Sequence, residues 1–280
     1  MVTTLDPNSA GTETQVHDFS YDWKDLCLYA LGIGATRDEL DYLYEARGPK
    51  VYPTFAVVPA YPVMNELLQL SKGPYSSVVH AAQTIRALKP IPATGTLKTQ
   101  GRIAGVYDMK RMALLHLETT TRLDQEVVFE SEWQILMRGE GGFGGPRRPR
   151  SKPTPLPKRD PDWTYQDSVS PTGALLYRLS GDHNPLHADP DFAASVGFEQ
   201  GPILHGLATM GYICRAVALK SCDGDASRIT ELSTQFKKPV WPGESLRTEG
   251  FVEGDELLLQ AFASNRSDAV VGGAKAIVTP

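Results

Sequence analysis

KPIPATGTLKTQG (residues 89–101) and KPVWPGESLRTEG (residues 238–250) align without a gap, which marks an internal repeat. Lys, Pro, Leu, Thr and Gly are identical at matching places, and Ile/Val, Thr/Ser, Lys/Arg and Gln/Glu are close substitutions. The flanks agree as well. LKTQGRIAGVYDM, RMALLHLETTTRL and EVVFESEWQILMR follow the start of the first copy; LRTEGFVEG, DELLLQAFASN and AVVGGAKAIVTP follow that of the second. Each set has the pattern of a three-stranded meander. A sheet of this kind has one face in need of cover, and a long apolar helix supplies it. The expected fold is α+β, with two antiparallel sheets, each wrapped on a helix.

The second helix is plain in GLATMGYICRAVALK (residues 206–220), where Leu207, Met210, Ile213, Cys214 and Val217 recur at helical spacing. Few polar residues fall on its other side, so Met210 and Cys214 are expected simply to pack. The matching stretch of the first half, VVPAYPVMNELLQLSKGPYSS (residues 57–77), holds Pro59 and Pro62. Each proline removes a backbone donor and crowds the preceding turn. The first helix is therefore expected to be short or displaced, leaving a gap beside its sheet for something long and apolar. Between the halves, RGEGGFGGPRRPRSKPTPLPKRDPD (residues 138–162) is rich in Gly, Pro and basic residues and has the character of a linker. The expected division is an N-terminal module (1–137), the linker (138–162) and a C-terminal module (163–280). A length of 280 residues agrees with two cores.

A net charge of −5 gives no electrostatic reason for nucleic acid or an anionic membrane as partner. A small charged metabolite is compatible with it. Cys27, Cys214 and Cys222 are odd in number and lack CxxC spacing, which fits a reducing compartment. The first twenty residues have neither a basic start nor an apolar core, and no later stretch approaches the ~18 apolar residues of a membrane span. The last residues, IVTP, are not an S-K-L type address. A cytoplasmic protein is expected, with the peroxisome as the alternative for a longer or separately targeted chain.

One segment is dense in reactive groups: YRLSGDHNPLHADPDFAASVGFEQGPILHGLATMG (residues 177–211). Asn184-Pro185 disfavours helix, so Asp182 and His187 share a turn and are free to converge. Asp189-Pro190 has the form of an N-cap with proline at the first helical position, and Gly197 ends that short helix. A carboxylate and an imidazole at one point form an acid/base pair, because His titrates near neutrality and a nearby Asp fixes its tautomer. Asn184 offers a donor and an acceptor to a water between them. At Gly206, where the long helix begins, free backbone amides and a missing side chain suit an oxyanion. Taken singly, Asp182 is a turn residue and His187 a loop or core histidine; the combination points to chemistry. His183 and His205 are expected to support their neighbours, and His17 and His116 to be surface or sheet residues. No metal-ligand spacing is present, and no metal is expected.

These residues closely resemble the hydratase 2 signature of MaoC-like proteins, as in the hydratase domain of the peroxisomal multifunctional enzyme type 2. YALGIGA from Tyr29, LDYLYE from Leu40, YPTFAVVP from Tyr52 and RGEGGFGGPR from Arg138 extend the resemblance over nearly the whole chain. It implies a double hot-dog fold and (R)-specific, syn hydration of trans-2-enoyl-CoA in fatty acid metabolism. It further implies no cofactor beyond the CoA carried by the substrate, a non-catalytic first module that accommodates acyl chain and CoA, and a homodimer. It places the catalytic Asp, Asn and His on Asp182, Asn184 and His187, and the carbonyl-polarising amide on Gly206. Looser matches put ligand-lining positions at Phe236, His80 and Lys110. Arg147, Arg148, Arg150, Lys152 and Lys158 are candidates to meet CoA phosphates, or else solvate the linker. Two positions depart from the pattern: Glu199-Gln200-Gly201 is one residue longer, and Ala81 replaces a glycine. The rival activities are a 3-hydroxyacyl-[acyl-carrier-protein] dehydratase and a non-catalytic acyl-thioester binding module.

Overall fold

The computed structural model describes residues 5–148 and 154–280. The first half contains β1 (His17–Tyr21), α1 (Trp23–Gly32), α2 (Leu40–Leu43), α3 (Val57–Leu70), β2 (Val78–Ala87), β3 (Gly95–Asp108), β4 (Met112–Leu123) and β5 (Glu126–Arg138). The second contains β6 (Trp163–Ser168), α4 (Gly173–Tyr177), α5 (Pro190–Ser195), α6 (Gly206–Ser221), β7 (Ile229–Phe236), β8 (Ser245–Glu253), β9 (Glu256–Ala263) and β10 (Ala269–Val278). The strands run in the order β1-β3-β4-β5-β2-β7-β10-β9-β8-β6. Read from its outer edge inward, each half has the same order, as the repeat requires.

The two expected sheets are in fact one. β2 and β7 pair antiparallel, from Ala82↔Gln235 to Arg86↔Glu231, and join the halves into a continuous ten-stranded sheet. Both strands would otherwise be open edges with unpaired amides, and pairing them satisfies those groups. Arg86 clasps the seam, with Nε 2.9 Å from Glu231 and a terminal nitrogen 2.7 Å from Glu132.

The repeat's last glycine has a packing reason in both copies. A side chain at Gly101 would meet Val63 at 2.7 Å and Leu67 at 2.9 Å, where α3 lies against β3. One at Gly250 would strike the Trp163 ring at 2.2 Å, directly opposite it where β6 pairs with β8. α6 is buried from Leu207 through Ala218, as its apolar circumference predicts.

α3 corrects the expectation of a short first helix: it has 14 residues against 16 in α6, and covers β3 and β4. Pro59 falls in its first turn, where an amide has no intrahelical partner to lose, and only Pro62 interrupts the interior. A 3-10 turn, Pro53–Ala56, leads into it. On α6, Arg215 is 2% exposed and pairs with Glu39 of the first half and Asp167 of β6. Burial pushes the Asp167 carboxyl up to about 6, against the pull of Arg215.

Candidate functional site

The turn before α5 is held from within. The Asn184 side chain accepts from the Leu186 amide at 3.0 Å and caps a 3-10 turn, Pro185–His187. Asp189 then accepts from the Asp191 and Phe192 amides, at 2.9 and 3.2 Å, and caps α5. Asp182 and His187 are thereby fixed on one side of the turn, while His183 is exposed. Ligand-type atoms of Asp182, His187 and His205 all lie within 4.8 Å of one another. The convergence expected of Asp182 and His187 is present in the structure, and His205 joins it.

His187 is 8% exposed. Its Nδ1 donates to the Ile203 carbonyl at 2.9 Å, which leaves Nε2 with its lone pair. Burial lowers its pKa, although the Asp182 charge and the Ile203 carbonyl pull the other way. The imidazole is therefore neutral near pH 7. The His205 ring stacks on it at 3.7 Å, and His205 Nε2 donates to the Asp182 backbone carbonyl at 3.1 Å. Burial and the neighbouring His187 lower His205 to about 3, so it supports the turn without adding charge.

α6 begins at Gly206, directly after His205, and among the described residues no side chain caps its first amides. A Cβ at Gly206 would lie in ordinary van der Waals contact with the Phe236 ring, at 3.5 Å. His80 meets the edge of Phe236 at 5.0 Å and stacks on Trp133 at 5.5 Å. Its Nε2 donates toward Gln83 at 3.0 Å, and burial lowers its pKa to about 4. Ala81 is the extra residue of a β-bulge between His80 and Ala82 and needs no left-handed backbone. The longer Glu199-Gln200-Gly201 turn is taken up at Gly201, with φ +103°.

Asp182, Asn184, His187, Gly206, Phe236 and His80 line one cavity of about 300 Å³. It continues into the first half between α3, with Tyr61, Met64 and Leu68, and the strand residues Val78 and Ile135. The gap beside the first sheet is thus present, bordered by a full helix and not left by a missing one. Lys110 sits at the β3–β4 hairpin with φ +71°, exposed and not among the residues that line the cavity. The basic residues that do line the cavity are Arg138, Lys237 and Lys238. Of the linker cations, Arg147, Arg148 and Lys158 do not line it, and Arg150 and Lys152 lie outside the described residues. The Gly-rich start of the linker is tethered, since the Asp108 carboxylate accepts from the Gly142 and Gly144 amides at 3.0 and 2.7 Å. His17 and His116 pair with Glu66 and Glu132, on β1 and β4.

Sequence reasoning missed Tyr61, whose hydroxyl donates to Asp182 at 2.6 Å. Lying between two other residues of α3 and far from the motif in sequence, it carries no local signal. Lys237 and Lys238 had one, in that they immediately follow Phe236.

A ten-stranded sheet with twofold internal order, helices packed against it and a cavity spanning both halves define a double hot-dog protein of the MaoC-like class. The model of the MFE-2 hydratase 2 N-terminal domain matches residues 19–139, and that of the MaoC like domain matches residues 152–269. The chain belongs to the MaoC-like hydratase 2 family. It is similar to the peroxisomal enoyl-CoA hydratase 2 of Arabidopsis thaliana, with 35% identity over 91% of this chain and 89% of that one. The peroxisomal multifunctional enzyme type 2 of Mus musculus is 35% identical over 93% of this chain, which spans only 37% of that longer protein. Among solved structures, a MaoC-like dehydratase from Phytophthora capsici superposes with a TM-score of 0.86 at 30% identity, covering 100% of this chain and 98% of its own.

Proposed function

We propose that this chain hydrates trans-2-enoyl-CoA to (R)-3-hydroxyacyl-CoA, reversibly and by syn addition, as an enoyl-CoA hydratase 2 of fatty acid metabolism. The observation that carries the reading is the meeting of Asp182 with a neutral, buried His187 in the cavity that Gly206, at the start of α6, also lines. Asp182, Asn184 and His187 hold a water. Its oxygen adds to Cβ as the His187–Asp182 pair takes one of its protons, and a proton is returned to Cα on the same face. Hydrogen and oxygen of one water are thus consumed, with no change in redox state. The charge that builds on the thioester oxygen meets the Gly206 amide, for which a single oxyanion donor contributes about 3 kcal/mol. Beyond the substrate's own CoA, this reading calls on no cofactor.

Phe236 and His80 wall the reacting carbons, and the apolar space beside α3 takes the acyl chain. Arg138, Lys237 and Lys238 are the cations best placed for CoA phosphates. The first module, residues 1–137, accommodates the ligand, the 138–162 segment connects, and the 163–280 module supplies the acid/base groups. A homodimer completes the reading, to be checked by sedimentation. Cytoplasm is the proposed compartment on the strength of three unpaired, buried cysteines; relatives named peroxisomal make the peroxisome the alternative.

Loss of enoyl-thioester absorbance with purified protein tests the reading. Asp182→Ala and His187→Ala should each lower kcat by roughly 10²- to 10⁴-fold, the usual worth of a positioned acid or base, with melting retained. Unchanged turnover in either variant removes that residue from the mechanism. Faster reaction of the matching carrier-protein thioester would transfer the chain to the dehydratase reading, and tight acyl-CoA binding without hydration would make it a binding module.

A further inference from the structure

We infer that Tyr61, contributed by the half of the chain that lacks the acid/base motif, is a positioning residue that selects which oxygen of Asp182 faces the reacting water. The inference rests on the hydration reading above. Tyr61 lies on α3, and its hydroxyl donates to Asp182 Oδ1 at 2.6 Å. The Asn184 amide donates to the same oxygen at 3.2 Å. Oδ2 takes no hydrogen bond from the described residues, so the two carboxylate oxygens are unlike: one is occupied, the other is left for the water. His205 Nε2 fixes the backbone of the same residue from behind. The carboxylate is thus held at two points and its backbone at a third, and the Tyr61 contact comes from the first module.

A hydrogen bond to a charged group is shorter and about twice as strong as a neutral one, and in a buried site it restricts rotation of the carboxylate. Burial and the adjacent Asp182 charge hold the Tyr61 phenol far above its usual 10. It therefore stays protonated and serves as a fixed donor, without entering the proton transfers. The consequence is that the first module would not be catalytically neutral: it would set the orientation of the group that grips the water. A merely structural Tyr61, by contrast, would use Asp182 only as a convenient acceptor for a buried phenol.

Tyr61→Phe separates the two, because it keeps the ring that lines the cavity and deletes the donor. Steady-state hydration of crotonyl-CoA and of decenoyl-CoA should show kcat lower by roughly ten- to a hundredfold for both, the usual range for a hydrogen bond to an ion. KM should stay within about twofold. Binding of saturated decanoyl-CoA counts competent sites, so a misfolded fraction cannot imitate a slower reaction. Tyr61→Phe with wild-type kcat per competent site overturns the inference alone, as does a variant whose loss lies wholly in KM. A wild-type chain that hydrates neither substrate overturns the functional reading, and this inference with it.

Discussion

In the proposed mechanism His187 serves as a base because of where it sits. Its Nδ1 is committed to the Ile203 carbonyl, and burial lowers its pKa below the ordinary imidazole value. Lowering the pKa extends the unprotonated form downward in pH, so the acid limb of kcat/KM should fall below the ordinary imidazole value of 6.5. Half-maximal activity at pH 7 or above, in a full pH–rate profile, would contradict that assignment. At this scale the sequence was informative wherever the partners are close along the chain. Asp182, Asn184 and His187 lie within one proline-bent turn, and the capping roles of Asn184 and Asp189 follow from their residue types. Tyr61 reaches the cavity only through tertiary folding, and no local pattern marks it. Lys110 rests on a loose match to a family alone, and the hairpin that carries it is not part of the cavity lining.

α6 does two jobs, filling the core of the second half and presenting its first amides to the cavity. Its orientation is fixed at the other end by Arg215, which holds Glu39 and Asp167 in a site almost without solvent. Arg215→Met leaves two buried carboxylates without their counter-charge. Removing one partner of a buried ion group costs about 3–5 kcal/mol, and urea unfolding should show a loss of that size. A variant within about 1 kcal/mol of wild type would mean that water reaches the carboxylates and α6 is held by packing alone. The elements themselves were largely legible, because strand alternation and the apolar face of α6 are local patterns. Pro59 and Pro62 misled about α3, since the cost of a proline depends on its distance from the helix start, and that start is set by the preceding 3-10 turn.

Across the whole molecule, the repeat foretold two halves of like order, but not their union into one sheet. That union depends on β2 and β7 finding each other, and edge pairing leaves no signature in either strand's own sequence. It also explains the cavity, for His80 and Phe236 come from strands on the two sides of the seam and meet edge to face beside Gly206. The cavity space beside α3 of the first half and the Asp182–His187 turn of the second are thereby brought to one place. The most direct measurement is to incubate the purified chain with trans-2-decenoyl-CoA in isotopically labelled water and to determine the configuration of the product. One labelled oxygen at C3, in the (R) configuration, is the predicted result; an (S) product, or recovery of the unreacted thioester, would contradict it.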